Sequence, residues 1–266
     1  MLDQYKREIN YLRISVTDRC NLRCTYCMPA EGIELMPQRN IMSFDEIVSI
    51  AKKGVEDGIT KIRLTGGEPL VRKGIVDLVK MLSSISGVRD LSMTTNGILL
   101  DKYAQELAAA GLDRINISLD TMSAKKFFNI TRGGNIRKVF LGIEAAKKAG
   151  LFPIKINCVV LKDSNEKDAM EVAEFCNENN LDIRYIHQMD LQTGEFSIVE
   201  GGEGGDCKNC NRLRLTAEGE LRPCLFNDKS IKVKEVGVAA AYKYVLNKKP
   251  LFGTTSTSGK FYGIGG

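Results

Sequence analysis

From residue 10 to residue 190 the chain alternates short β-rich runs with helical patterns, and no other feature narrows its fold as much. The runs YLRISVT (11–17), KIRLTG (61–66), DLSMTT (90–95), RINISL (114–119), PIKINCVV (153–160) and DIRYIHQ (182–188) read as six strands. Between them SFDEIVSIAKKGVEDG, IVDLVKMLSSI, KYAQELAAAG, NIRKVFLGIEAAKKAG and EKDAMEVAEFCNENN carry helical spacing, the first opened by Ser43 with Glu46 three residues on. Alternation of this kind implies right-handed crossovers and a parallel sheet, and six such units over residues 1–190 fit an open or partial barrel. After Asp190 the pattern stops. TGEFSIVEGGEGGD is polar and glycine-rich and reads as a loop. CKNCNRLRLTAEGELRPCLF (207–226) reads as a hairpin with cysteines at both ends, VKEVGVAAAYKYVLNKK as one helix and GTTSTSGKFYGIGG as a tail. Residues 191–266 are therefore expected to form a small cysteine-ribbon region appended to the barrel.

The 266 residues are 43% apolar and 27% charged, which leaves material for a core and excludes wholesale disorder. A net charge of +5 suits an anionic ligand but lies well below the charge density of a protein that coats nucleic acid. No run approaches the roughly 18 apolar residues of a spanning helix, and the N-terminus lacks a signal-peptide core, so a cytoplasmic chain is expected. In that reducing compartment the eight cysteines point to metal binding or catalysis rather than disulfides.

Cys20, Cys24 and Cys27 follow the first strand as C-x3-C-x2-C, so one loop can wrap three thiolates around a metal centre. Structural zinc takes four closed ligands, whereas a [4Fe–4S] cluster on three thiolates leaves one iron open. A zinc site with a distant fourth ligand is the alternative. The spacing, with Tyr26 before the last cysteine, resembles the radical S-adenosylmethionine (SAM) superfamily, and Gly66-Gly67-Glu68-Pro69 after the second strand resembles that superfamily's GGEP motif. The resemblance implies a partial (β/α)6 TIM-like barrel, a [4Fe–4S] cluster on these cysteines, and SAM cleaved to methionine and a 5′-deoxyadenosyl radical. It also implies SAM contacts at Tyr26, Gly66, Gly67, Glu68, Ser118 and Met189, toward the C-terminal ends of the strands.

Cys207, Cys210 and Cys224 form a second triplet, C-x2-C-x13-C, with no fourth cysteine in reach. A second [4Fe–4S] cluster with an open iron is one reading; a Cys3His zinc site completed by the sole histidine, His187, is the other. Cys158 and Cys176 fall within a strand and a helix pattern and read as core. Arg212 and Arg214 alternate along the hairpin and so share a face beside this triplet. Arg13, Lys61, Arg63, Lys155 and Arg184 lie in strands otherwise rich in Ile, Leu and Val, with Lys61 and Arg63 opposite Ile62 and Leu64. Buried cations are costly unless paired, so this set needs ion pairs supplied by the fold or a polyanionic ligand. Solvated strand ends with snorkelling stems are the plainer alternative. No G-x-x-x-x-G-K-[ST] phosphate loop occurs, so a bound nucleotide would be rearranged rather than hydrolysed.

The phrases RISVTDRCNLRCTYCMP, KIRLTGGEPLVRK, TTNGILL, RINISLD, KIN and CNRLRLTAEGELRPCLF resemble the GTP 3′,8-cyclase family (molybdenum cofactor biosynthesis protein A), over Tyr11 to Met189 and again through the hairpin. The resemblance implies a radical SAM lyase that abstracts H3′ of GTP and joins C3′ to guanine C8. The product would be 3′,8-cyclo-7,8-dihydro-GTP, in the first step of molybdenum cofactor (molybdopterin) biosynthesis. It implies two [4Fe–4S] clusters, with guanine on the second cluster's open iron. GTP would be held by Arg13, Arg63, Thr94, Lys155, Arg212 and Arg214, with Lys61 and Arg184 at the triphosphate. Cys20, Cys24, Cys27, Arg212, Arg214 and the terminal Gly265 and Gly266 are the implied catalytic residues. The implied partners are a low-potential electron donor and the next enzyme of the pathway, cyclic pyranopterin monophosphate synthase. A homodimer is left open, and neither nucleic acid nor membrane is expected.

Two features depart from that family. The segment between Arg184 and Cys207 and the tail after Cys224 are short, marking a shortened member, and Tyr185-Ile186-His187-Gln188-Met189 replaces Ile-Glu-Phe-Met, so an acidic residue is missing. His187 reads as pocket wall. Two other readings remain: another radical SAM enzyme with an auxiliary cluster, such as a peptide-modifying maturase, and a non-catalytic metal-stabilised nucleotide-binding module. The maturase would bring more auxiliary cysteines, and the module zinc rather than iron.

Overall fold

The computed structural model describes residues 1–257 and 261–264. All six expected strands form: β1 (Tyr11–Ser15), β2 (Lys61–Thr65), β3 (Asp90–Thr95), β4 (Arg114–Ser118), β5 (Ile154–Val160) and β6 (Asp182–His187), paired in parallel in chain order. The barrel is open, because β6 ends the sheet and the other flank of β1 is taken by β7 (Arg212–Leu215), then β8 (Glu220–Arg222) and β9 (Ile231–Lys232). β7 and β8 are the expected hairpin, closed by Gly219 at φ +87°. Its placement was not expected: β7 runs parallel to β1, with Arg212 opposite Tyr11 and Arg214 opposite Arg13. The ribbon thus continues the barrel sheet across the 190/191 division, and Leu213, Leu215, Leu221 and Val245 join the main core.

The crossovers are α1 (Phe44–Glu56), α2 (Ile75–Ser83), α3 (Leu100–Ala109), the pair α4 (Ala124–Thr131) and α5 (Ile136–Ala149), and α6 (Lys167–Glu178). Ser43 and Glu46 form the reciprocal cap read from the sequence at the start of α1. α4 was not expected. A loop follows β6, as read from the sequence, with Tyr185 and Glu200 bridging antiparallel across it. The single helix expected over 233–249 is two, α7 (Val233–Val236) and α8 (Val238–Lys248), because Gly237 takes φ +81° and interrupts the ladder. A short α9 (Phe261–Ile264) puts Ile264 against Leu191, Leu225 and Phe226. Gly265 and Gly266 lie outside the described residues.

Strand parity divides the sheet into two chemically different faces. Leu12, Ile14, Ile62, Leu64, Leu91, Met93, Ile115, Ile117, Ile154 and Ile156 are buried with helix residues such as Ile47, Leu78, Leu107 and Val139. Cys158 and Cys176 lie in this core, as expected. The other parity carries Tyr11, Arg13, Lys61, Arg63, Arg114, Lys155, Arg212 and Arg214, which line one cavity. No helix among the described residues is long and apolar enough to cross a membrane.

Candidate active site

The first cysteine loop leaves the C-terminal end of β1. Its turn is closed by the amides of Cys27 and Met28, both donating to the Cys24 carbonyl at 3.0 Å. The end of α4 seats it. Arg23 and Thr25 amides donate to the carbonyls of Thr131 (3.2 Å) and Ile130 (2.9 Å). Arg132, in the left-handed region at φ +52°, donates from Nη1 to the carbonyls of Arg23 (2.8 Å) and Met28 (2.7 Å). From the other side the GGEP segment presses on the loop so closely that a Cβ on Gly67 would stand 2.3 Å from the Arg19 carbonyl oxygen, so only glycine passes there.

Glu68 is buried beneath this contact. Its carboxylate accepts from the Leu70 amide (3.1 Å), the Asn96 amide (2.7 Å) and Thr95 Oγ1 (2.7 Å), yet burial outweighs these donors and holds it up at about 7. Asn96 Nδ2 also reaches Cys20 Sγ at 3.8 Å, and Tyr26 donates its hydroxyl to half-buried Asp120 at 2.8 Å. Burial pushes the thiols of Cys20 and Cys27 up to about 11 and that of Cys24 to about 12, with Glu68 adding at Cys20 and Asp120 at Cys24. No cation contributes to these shifts.

The second triplet has the opposite surroundings. Lys249 Nζ donates to Cys210 Sγ at 3.3 Å. Burial works to raise the Cys210 thiol, but Lys249, the Arg212 backbone amide and the Arg212 guanidinium together bring it below its ordinary value. Cys224 stays raised by burial, with Lys249 and Arg214 opposing.

Two adjoining cavities collect the residues singled out from the sequence. The smaller, about 210 Å³, is lined by Cys20, Cys24, Cys27, Tyr26, Gly66, Gly67, Glu68, Ser118 and Met189, together with Thr94. The larger, about 530 Å³, is lined by Cys207, Cys210 and Cys224 and by Arg13, Lys61, Arg63, Lys155, Arg184, Arg212 and Arg214. They share Asn157, Ile186, His187 and Met189, so one wall separates them. Thr94, implied as a GTP contact, stands in the smaller cavity, its hydroxyl buried without a partner.

The cavity cations find partners of several kinds in the protein. Lys155 pairs with Asp182 at 2.8 Å, and Arg212 lies 3.9 Å from Glu203. Arg63 donates to Ser92 Oγ and lies over the Tyr11 ring, and Arg184 donates to the Gly201 carbonyl and Asn116. Arg63 and Arg214 are 7% and 8% exposed, so they are not snorkelling. Burial pushes Arg13, Arg63, Arg184 and Arg214 down, Arg214 to about 10, with neighbouring guanidiniums adding to the push. Arg214, at about 10, keeps its charge at neutral pH, and an anion placed among these groups would relieve both costs. Arg114, not singled out from the sequence, joins this lining and is gripped by Asp90 through Nε (2.8 Å) and Nη2 (2.7 Å). Its signal was the parity it shares with Asn116 on β4.

Among the described residues no three His, Cys, Asp or Glu side chains close on a point where a single metal ion would sit. The first triplet lines the smaller cavity and the second the larger. His187 does not complete a zinc site; its Nε2 lies 3.5 Å from Glu200 Oε1, on the shared wall.

The open parallel barrel with a cysteine loop after its first strand defines a radical SAM protein, and the Radical SAM superfamily model matches residues 14–176. The Molybdenum Cofactor Synthesis C model matches residues 163–247. The chain belongs to the GTP 3′,8-cyclase family. The GTP 3′,8-cyclase of Thermodesulfovibrio yellowstonii is 44% identical, over 89% of this chain and 88% of its own. That of Moorella thermoacetica is 40% identical, over 94% of each. The matched stretches, 282 and 304 positions, exceed the 266 residues of the chain itself, so these relatives carry internal residues that it lacks. Among solved structures, Streptococcus suis SuiB bound to S-adenosylmethionine shares the fold with a TM-score of 0.67 at 18% identity, over 89% of this chain and 66% of that one. Methylornithine synthase gives 0.57 at 15% identity, over 69% and 54%.

Proposed function

We infer that this protein is a radical SAM GTP 3′,8-cyclase, converting GTP to 3′,8-cyclo-7,8-dihydro-GTP in the first step of molybdenum cofactor biosynthesis. Its membership of that family is joined by one observation of its own geometry, the separation of two cysteine triplets into adjoining cavities, one framed by GGEP and the other by cations. In this reading Cys20, Cys24 and Cys27 hold a [4Fe–4S] cluster, and SAM lies against Tyr26, Gly66, Gly67, Glu68, Ser118 and Met189. The chemistry that cluster and SAM bring is a 5′-deoxyadenosyl radical able to take H3′ from GTP.

The chain's own work is placement. Asp120 fixes the Tyr26 hydroxyl, and the three donors on Glu68 hold the GGEP backbone against the cysteine loop. Arg13, Lys61, Arg63, Lys155, Arg184, Arg212 and Arg214 hold GTP, their guanidinium forks matching phosphate oxygens, and Thr94 offers its hydroxyl from the smaller cavity. The shared wall of Asn157, Ile186, His187 and Met189 brings the ribose toward the SAM side and keeps water from the reacting atoms. Cys207, Cys210 and Cys224 hold a second [4Fe–4S] cluster that receives guanine. Residues 1–190 would then serve as the SAM-cleaving unit and 191–266 as the substrate-cluster unit. A low-potential donor supplies electrons, and cyclic pyranopterin monophosphate synthase takes the product, both in the cytoplasm.

An anaerobic reaction of the reconstituted protein with SAM, a strong reductant and GTP deuterated at C3′ tests this reading. Deuterium is expected in 5′-deoxyadenosine. SAM cleavage without label transfer would remove GTP as the substrate.

A further inference from the structure

Lys249 follows the last residue of α8 and is 1% exposed. Its Nζ donates to the carbonyls of Arg212 (2.7 Å) and Pro223 (2.8 Å) and to Cys210 Sγ (3.3 Å). Carbonyl oxygens only accept, so these three bonds together use the three protons of an ammonium group. Among the described residues no carboxylate pairs with it, and a buried ammonium without a counter-charge is costly. Among the described residues, the one charge-bearing group it touches is the sulfur of Cys210.

The segment carrying Lys249 is tied down from the far end of the chain. Gln4 Nε2 donates to the Lys249 carbonyl at 2.8 Å. Arg7 donates to the carbonyls of Pro250 (2.6 Å) and Leu251 (3.1 Å) and, from the same guanidinium, to that of Cys207 (2.6 Å). Asp3, wholly buried, holds Arg7 Nε at 2.7 Å. The N-terminal residues therefore lock Lys249 and the Cys207 loop into one register. At the first triplet neutral donors reach a sulfur, the Leu22 amide at 3.4 Å and Asn96 Nδ2 at 3.8 Å from Cys20 Sγ, with the carboxylates of Glu68 and Asp120 nearby.

We propose that Lys249 is a positioning residue of the second triplet, fixing Cys210 and placing a positive charge there that raises the reduction potential of the cluster bound on that side. The inference rests on the reading that Cys207, Cys210 and Cys224 hold a cluster. Reduction adds a negative charge to a cluster, so a buried cation against a ligand sulfur favours the reduced form. A substrate-side cluster raised in this way does not compete with the first for the role of SAM reductant.

The test uses full-length protein with Cys20, Cys24 and Cys27 all replaced by alanine, so that only the second triplet contributes signal, reconstituted anaerobically. Iron content and the midpoint potential by electron paramagnetic resonance are measured for this parent and for K249Q, K249M and K249R within it. The parent and all three variants are expected to retain iron, with the midpoint shifted to more negative values in K249Q and K249M and held near the parent's in K249R. A purely structural lysine would lower iron content and leave the midpoint where it was, which overturns the inference alone. A parent without iron overturns the second-cluster reading and this inference with it. If the neutral variants do not fold, Q4A, which frees the Lys249 carbonyl and leaves the charge, is expected to give a smaller negative shift, and an unmoved midpoint there overturns the proposal.

Discussion

The two cysteine triplets have the same number of thiols, and their surroundings are opposite in charge. Around Cys20, Cys24 and Cys27 the charged neighbours are carboxylates, Glu68 and Asp120, and burial leaves the thiols at about 11 to 12. Around Cys210 and Cys224 they are Lys249, Arg212 and Arg214, and Cys210 lies below its ordinary value despite burial. Carboxylates beside the first loop disfavour added negative charge there. The second is surrounded by cations that stabilise added negative charge, the condition for receiving an anionic ligand. A single motif count thus describes two sites with different electrical roles.

The sharpest way to break this contrast is to remove one thiol from each side. C24S is expected to bring 5′-deoxyadenosine formation to background, whereas C224S keeps SAM cleavage and loses GTP consumption; both are read by chromatography of the same reaction. Equal losses of SAM cleavage would mean that the two triplets are not divided in function. Next in size is R214A, which removes a buried guanidinium from the larger cavity. It should weaken GTP binding by about 2–5 kcal/mol in calorimetry, with R214K between it and the parent, while SAM binding is unmoved.

Glu68 sharpens the acidic side. Its proton is held more tightly in the folded chain, at about 7, than at the ordinary 4.5. Its contribution to stability is therefore greatest below the lower value, falls as pH rises between the two, and levels off above about 7. The difference in urea unfolding free energy between the parent and E68Q should change across that window by up to about 3 kcal/mol, and a flat difference would contradict the burial argument. The smallest effect belongs to the shared wall. H187Q should change kcat/KM by no more than about 0.5 kcal/mol, roughly twofold, because its partner Glu200 is a half-exposed loop residue.

What the sequence disclosed and what it withheld have separate physical causes. Alternating parity put Ile62 and Leu64 on one face and Lys61 and Arg63 on the other before any fold was known, because the period of two is local. The triplets were legible for the same reason, each ligand lying within a short run or a hairpin. The adjacency of β7 to β1 was not, since a parallel pairing across two hundred residues is set by packing. α4 escaped because AKKFFNIT mixes aromatic and β-branched residues with weak helical preference, and it is held by Ser123 at its start and by its grip on the cysteine loop. Gly237 did carry its signal, a glycine inside a helical pattern, and was read through. Lys249 was hidden in plain view, since a lysine ending a helix reads as a favourable C-terminal charge, and only the folded chain shows it buried against Cys210.

The division of labour between the triplets is tested most directly by running GTP deuterated at C3′ with the parent and with a protein in which Cys207, Cys210 and Cys224 are all serine. The account predicts deuterium in 5′-deoxyadenosine from the parent, and from the variant 5′-deoxyadenosine that is formed but unlabelled. Label transfer at the parent's level by the variant would contradict it.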